Sequence, residues 1–158
     1  MSQESLEKEY ICAMRGLTST VNVLSAERNG VKKAMTATAV TSLSLDPPSM
    51  IASVNLNASI HNLLSVGNCF CINVLTSSQS ELADVCSKNE EEDSRFKIGN
   101  WVYYDNIPYN QDSQSNVFCR CFDLSKQVTH TIFFGEVIKV INNDTSSPLL
   151  YREGDYVE

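Results

Sequence analysis

Apolar residues near the start of the chain recur at helical spacing, at Leu6, Tyr10, Ile11 and Met14, and predict a short helix over residues 4–15 that Gly16 ends. Beyond it the pattern changes. Residues 17–26 are rich in Thr, Val and Leu and predict a strand. Asn29-Gly30 follows, a pair in which both residues tolerate positive φ, and so predicts a hairpin into a second strand over residues 31–45. Asp46-Pro47-Pro48 interrupts the ladder because proline has no N–H to donate, and a strand resumes over residues 50–55. Residues 59–66 read as a short helix with Asn57 or Ser59 as its N-cap and Gly67 at its end. A buried strand is predicted over 69–75. Ser78 with Glu81 gives a capping box for a helix running to Cys86. A charged segment, 88–94, precedes a strand at 101–104. Two long strands, 117–124 and 131–141, flank a turn at 125–129. Ser146-Ser147-Pro148 ends the pattern, and residues 149–158 form an aromatic, acidic tail.

About seven strands and two or three short helices, without a repeat or an internal linker, predict one mainly β domain over residues 1–158. Its strands mostly follow one another without intervening helices, so the sheet is expected to be antiparallel and to close into a barrel. At 158 residues the chain suits one such domain. Its formal net charge of −7, from 12 basic against 19 acidic residues, supplies no general field for nucleic acid. The first ten residues are polar and acidic, unlike a secretion signal, and no apolar run reaches the roughly 20 residues that span a bilayer. The reading is therefore a soluble, cytoplasmic protein with no membrane partner, its six cysteines reduced.

Chemistry is sparse along the chain. Cys69-Phe70-Cys71 and Cys119-Arg120-Cys121 each put two sulfurs on one face of a strand, a spacing that suits half-buried core residues better than the Cys-x₂₋₄-Cys of zinc sites; no metal is expected. Only His61 and His130 are available as bases, and neither a nucleophile elbow nor a phosphate loop of the Walker or Rossmann type is present. The sharpest local feature is the run from Thr36 to Ser44, where nearly every side chain is small or hydroxylated. Such a strand lets a flat ligand reach the backbone, although it equally suits an ordinary strand with Thr facing solvent. Asn57 and Ser59 are placed either to bind phosphate oxygens or simply to cap the helix that follows.

The ordered set says more than its members. Met35-Thr36-Ala37-Thr38, then Thr41-Ser42-Leu43-Ser44-Leu45-Asp46-Pro47-Pro48, Asn55-Leu56-Asn57-Ala58-Ser59, Cys71-Ile72-Asn73-Val74-Leu75, Arg95-Phe96, Thr129-His130-Thr131-Ile132-Phe133-Phe134-Gly135-Glu136-Val137 and Pro148-Leu149-Leu150-Tyr151 run through residues 11–156. Together they resemble the flavin reductase-like family, the short-chain FMN-binding split barrels. The resemblance implies an antiparallel Greek-key split barrel that forms a homodimer, with FMN (or FAD) in a groove near the interface and NADH or NADPH as hydride donor. It implies that Thr36, Ala37, Thr38, Ala39, Thr41 and Ser42 meet the flavin ring and ribityl chain. Ser53, Val54, Asn55, Asn57 and Ser59 would reach the ribityl and phosphate, with Arg95 a further candidate for the phosphate. His130 matches the histidine beside which such enzymes place the nicotinamide. The implied activity is flavin reduction, with a flavin-dependent monooxygenase as the user of the product. Val128 stands where glycine is frequent, and that departure keeps open a second reading, an FMN-binding electron-transfer protein. A cofactor-free interaction module, using the aromatic tail as its surface, is the third.

Overall fold

The structure is a computed structural model that describes residues 2–88, 92–144 and 147–157, excepting the side chains of residues 92 and 93. Residues 89–91 of the predicted charged segment 88–94, and the break at Ser146, thus lie outside the described residues. Helix α1 spans Gln3–Arg15, capped by the Ser2 hydroxyl, which accepts from the Ser5 amide at 3.2 Å, and ended at Gly16. Twelve strands follow in the described residues: β1 (Ser19–Thr20), β2 (Asn22–Arg28), β3 (Val31–Ala37), β4 (Val40–Leu45), β5 (Pro48–Asn55), β6 (Cys69–Val74), β7 (Trp101–Tyr104), β8 (Ile107–Asn110), β9 (Ser115–Gln127), β10 (His130–Asn142), β11 (Leu150–Arg152) and β12 (Asp155–Val157). Helix α2 (Ser80–Ser87) and the single turn α3 (Glu92–Arg95) lie between β6 and β7.

Every strand pair is antiparallel. Seven strands form one sheet in the order β3-β2-β6-β9-β10-β5-β4; β1, β11 and β12 form a second sheet, and β7 with β8 a third. The expected single strand over 31–45 is two strands, and they occupy opposite edges of the large sheet. The chain leaves the β2 ladder after Ala37, passes through Thr38 and Ala39, and rejoins the sheet beside β5, where the Ser53 amide donates to the Ala39 carbonyl at 2.9 Å. Among the described residues no ladder joins β3 to β4, so the barrel is split at this point rather than closed.

Both faces of β2 are covered, which is why Asn22 through Ala26 are all buried. On one side Leu24 and Ala26 join Ala52, Val54, Ile60, Leu64, Phe70, Ile72 and Phe133 inside the rolled sheet. On the other, Val23 meets Leu82, Ala83 and Cys86 of α2, together with Val21, Leu75 and Leu149. The hairpin at Asn29-Gly30 forms as predicted, with φ of 52° and 77°. β5 begins at Pro48, two residues earlier than the sequence suggests, because Pro48 sits at the hairpin end of an edge pair, opposite Leu45. The helix predicted over 59–66 is only a 3₁₀ turn at His61–Leu63. Ile60 and Leu64 are both drawn into the core, and the Asn68 side-chain amide takes the Leu63 carbonyl at 3.0 Å, so the turns there do not extend into an α-helix. The capping box lies two residues before the predicted one: Thr76 and Gln79 cap the turn Ser77–Gln79 that leads into α2. β8 was not predicted, Pro108 masking its pattern.

Gly135 sits where the β9–β10 register shifts. A Cβ added there would lie 2.8 Å from Cys119 Cβ and 2.9 Å from Phe70 Cζ, both inside the core. Gly135→Ala therefore overpacks the sheet. The expected cost is about 1–3 kcal/mol, read by calorimetry as a Tm lower by roughly 3–10 °C; an unchanged Tm would show that Phe70 can move aside freely.

Candidate functional site

The small side chains at the β3–β4 switch leave a cavity of about 770 Å³ between the end of β3, the loop after β5, α2, α3 and the β11–β12 hairpin. Thr36, Thr38, Asn55, Asn57, Ser59 and Arg95 all line it. Alternation along β3 sorts the neighbours. Thr36 pairs with Val23 on the α2 side, while Ala37 pairs with Asn22 and points into the core, so Ala37 offers a ligand only its backbone. Val54, fully buried in the same core, is placed likewise. Ala39, Thr41 and Ser42 are exposed on the β4 side of the switch, and Ser53 is half-buried on β5; none of the four lines the cavity. The Thr36 hydroxyl donates to the Ala83 carbonyl at 2.6 Å and thereby fastens α2 to β3.

The loop after β5 is an Asx turn and not the start of a helix. The Asn57 amide donates to Asn55 Oδ1 at 2.8 Å and the Ala58 amide to the Asn55 carbonyl at 3.0 Å. Neither Asn57 nor Ser59 caps anything there, and the dipole expected from a helix at 59–66 is missing with that helix.

Positive charge comes instead from Arg95, which is only 4% exposed. Its guanidinium donates to the Ala34 carbonyl at 2.5 Å, to the Lys88 carbonyl, and to Ser59 Oγ at 3.4 Å. Trp101 Nε1 donates to the Arg95 carbonyl at 3.1 Å and to that of Ile98 at 2.9 Å, fixing the backbone behind it. Arg95 Nε is buried without a partner, and among the described residues no carboxylate pairs with the guanidinium. A buried cation held by neutral acceptors, with a donor to spare and a hydroxyl beside it, fits an anionic group such as a flavin phosphate.

His130 opens β10 directly opposite Asn55, with Nδ1 2.8 Å from Thr129 Oγ1. It is half-buried and outside the cavity wall, one ladder position from a residue that lines it. His61 is a strut: Nε2 meets Thr131 Oγ1 at 2.8 Å and the ring packs edge-on against Phe133 at 5.4 Å.

Asp84, Cys86, Ser87, Tyr151, Gly154, Asp155 and Tyr156 also line the cavity and carried no local signal as ligand contacts. Burial pushes the Cys86 thiol up to about 12, the Arg95 guanidinium partly opposing it. Cys71 and Cys119 are likewise pushed up, Cys119 to about 12, chiefly by burial. Among the described residues no cluster of ligands could hold a metal, and all six cysteines are free thiols. Iodoacetamide at mildly alkaline pH is therefore expected to label the exposed Cys12 and spare Cys71, Cys86 and Cys119 until the protein unfolds. Peptide mass analysis of the labelled protein reads this directly, and early labelling of Cys86 would mean that the cavity floor opens.

Fold and cavity together define an antiparallel β protein with a cleft of nucleotide size and a buried cationic end. A family model described as flavin reductase like domain matches residues 14–158, and the chain belongs to that family. It is 33% identical to the reductase component of an FADH(2)-dependent resorcinol hydroxylase from a Rhizobium strain, over 159 residues covering 99% of this chain and 89% of that one. It is 28% identical to an NADH:riboflavin 5′-phosphate oxidoreductase of Streptomyces pristinaespiralis, over 91% of this chain and 83% of that one. Among solved structures, the styrene monooxygenase flavin reductase of Pseudomonas putida superposes with a TM-score of 0.85 at 26% identity, covering 94% of this chain and 96% of that one. An NADH:FAD oxidoreductase of Streptomyces globisporus shares the fold, with a TM-score of 0.89 at 22% identity over 100% of this chain and 95% of that one. No described helix is long and apolar enough to cross a membrane.

Proposed function

We propose that this protein is a flavin reductase, moving hydride from NADH to FMN or FAD and delivering reduced flavin to a partner oxygenase in the cytoplasm. The observation that carries the reading is the cavity at the β3–β4 switch, lined by Thr36, Thr38 and Ser59 together with a buried Arg95 that no carboxylate among the described residues pairs, in a chain of this family. Bound flavin supplies the hydride-accepting ring chemistry. The chain supplies position. Arg95 and Ser59 would hold the phosphate, and Asn55 and Asn57 would flank the ribityl chain. Backbone N–H groups around Thr38, which lines the cavity, would favour negative charge on a flavin held there. Val21 and Met35 give the same wall an apolar part that excludes water. His130, opposite Asn55, orients the nicotinamide; holding two reactants in line is worth roughly 7–11 kcal/mol of barrier, so small misplacements are costly. The exposed row Leu6, Tyr10, Ile11 and Met14 on α1 supports a homodimer.

The test is anaerobic stopped-flow mixing of the flavin-loaded protein with NADH or NADPH, followed at the flavin's visible absorbance. Rapid bleaching is the expected result. Bleaching with neither donor, despite bound flavin, would favour an electron carrier reduced by another protein. In the same assay His130→Ala is expected to slow bleaching about tenfold while flavin affinity stays within about twofold. Unchanged bleaching would leave His130 as no more than the end of a strand.

A further inference from the structure

The phosphate end and ring edge of the flavin leave part of the cavity wall unused. Asp84 of α2 and Tyr151, Asp155 and Tyr156 of the terminal hairpin line the same space. Tyr151 and Tyr156 are ladder partners in β11–β12, so both rings project from one face of the hairpin, and they meet edge-on at 5.8 Å. The hairpin is held in place. Ser19 and Thr20 pair with Tyr151 and Leu150, and the Val21 amide donates to the Leu149 carbonyl at 2.8 Å. Tyr156 packs against the cluster that Leu82, Ala83 and Cys86 of α2 help to form, which ties the hairpin to α2; burial, with the Asp84 carboxylate nearby, pushes its phenol up to about 12.

This wall has a chemistry of its own. A partly exposed tyrosine ring offers a stacking face that accepts any base. The carboxylates beside it accept from hydroxyl and amino groups and repel phosphate, whereas Arg95 is the cationic residue lining the cavity. A ligand satisfying both regions carries phosphate in the middle and a neutral base on a hydroxylated sugar at the far end. The cavity's 770 Å³ lies in the upper part of the range for ligand pockets, roughly 300–1,000 Å³, and has room for more than one ring system.

Resting on the flavin reductase reading, we infer that the hairpin wall is an adenosine subsite, taking the adenosine 5′-phosphate end of FAD or of NADH and rejecting one that carries a 2′-phosphate. Tyr151 stacks on the base. Asp84 and Asp155 accept from the ribose hydroxyls, where a 2′-phosphate would face two negative charges.

The test is equilibrium binding to the purified full chain. FMN and FAD are titrated by flavin fluorescence, and 5′-AMP and 2′,5′-ADP serve as probes of the wall alone. Expected results are that 5′-AMP binds, that 2′,5′-ADP binds more weakly, and that Tyr151→Leu weakens 5′-AMP about tenfold while changing FMN affinity less than about twofold. The double variant Asp84→Asn with Asp155→Asn should narrow the gap between the two probes at low salt, an effect that fades as salt is raised. FAD binding tighter than FMN and displaced by 5′-AMP identifies the flavin as the source of the adenosine. Equal affinities for FMN and FAD, with 5′-AMP competing against NADH, identify the nicotinamide donor; either result supports the subsite. Normal FMN binding with no 5′-AMP binding, or an unaltered 5′-AMP affinity in Tyr151→Leu, overturns the subsite and leaves the flavin reading standing. Failure to bind FMN at all removes the flavin reading itself.

Discussion

Replacing Arg95 by methionine is expected to lower FMN affinity about a hundredfold and riboflavin affinity far less, because a hydrogen bond to a charged group contributes roughly 1.5–3 kcal/mol and only FMN carries the phosphate. The contrast between the two ligands separates recognition from support. Arg95 also holds the Ala34 and Lys88 carbonyls, one on β3 and one at the end of α2. Its loss leaves those acceptors unpaired and should destabilise the fold by about 2–4 kcal/mol, a cost that both ligands feel alike. Arg95→Lys keeps the charge but loses the planar fork, so partial recovery of FMN affinity without full recovery of stability is the expected pattern. Fluorescence titrations with FMN and riboflavin measure both effects. Equal losses for the two ligands would reduce Arg95 to a brace between β3 and α2.

The largest stability effect is expected at Asn73, away from the cavity. This fully buried side chain donates to the Val23 carbonyl at 2.8 Å and to Ser25 Oγ at 2.9 Å. It accepts from the Asn110 amide at 2.8 Å and from Asn116 Nδ2 at 2.9 Å. One residue on β6 thus fastens β8, which belongs to another sheet, onto the ladders that β6 makes with β2 and β9. Asn73→Leu fills nearly the same volume but leaves several buried groups without partners, each worth about 1–3 kcal/mol, for a total near 3–5 kcal/mol. Urea unfolding should show a lower midpoint at unchanged slope. The FMN affinity of the folded fraction should be that of the parent protein. A loss under about 1 kcal/mol would mean that water takes over the network.

How much of this was legible in the sequence depended on whether the signal was local. Asn29-Gly30 specified its hairpin because the φ requirement lies within two residues, and the 3.6-residue period gave α1 to within one residue at its start. The long strands β9 and β10 were found but read short, since their polar ends lack the apolar alternation of their middles. The passage from β3 to β4 was invisible: Thr36 to Ser44 has one continuous strand composition, and only the rolled sheet dictates that its halves pair with different partners. The helix predicted over 59–66 failed for a tertiary reason, because Ile60 and Leu64 are recruited into the barrel core. Of the residues that line the cavity, Thr36, Thr38, Asn55, Asn57, Ser59 and Arg95 were singled out through family resemblance. Asp84, Tyr151 and Tyr156 were not, since α2 and the terminal hairpin lie far apart in the chain and are brought together only by the fold.

That separation has a thermodynamic consequence. The cavity wall draws on the end of β3, the loop after β5, α2 with α3, and the final hairpin, so no fragment of the chain carries it whole. Anything that binds there binds the native state alone, and mass action then turns affinity into resistance to melting: a ligand at a hundred times its Kd adds about 2.7 kcal/mol. The melting curve is thus a ligand assay that needs neither colour nor turnover, and nucleotides, flavins and their fragments can be ranked on one scale by the temperature at which they let the protein go.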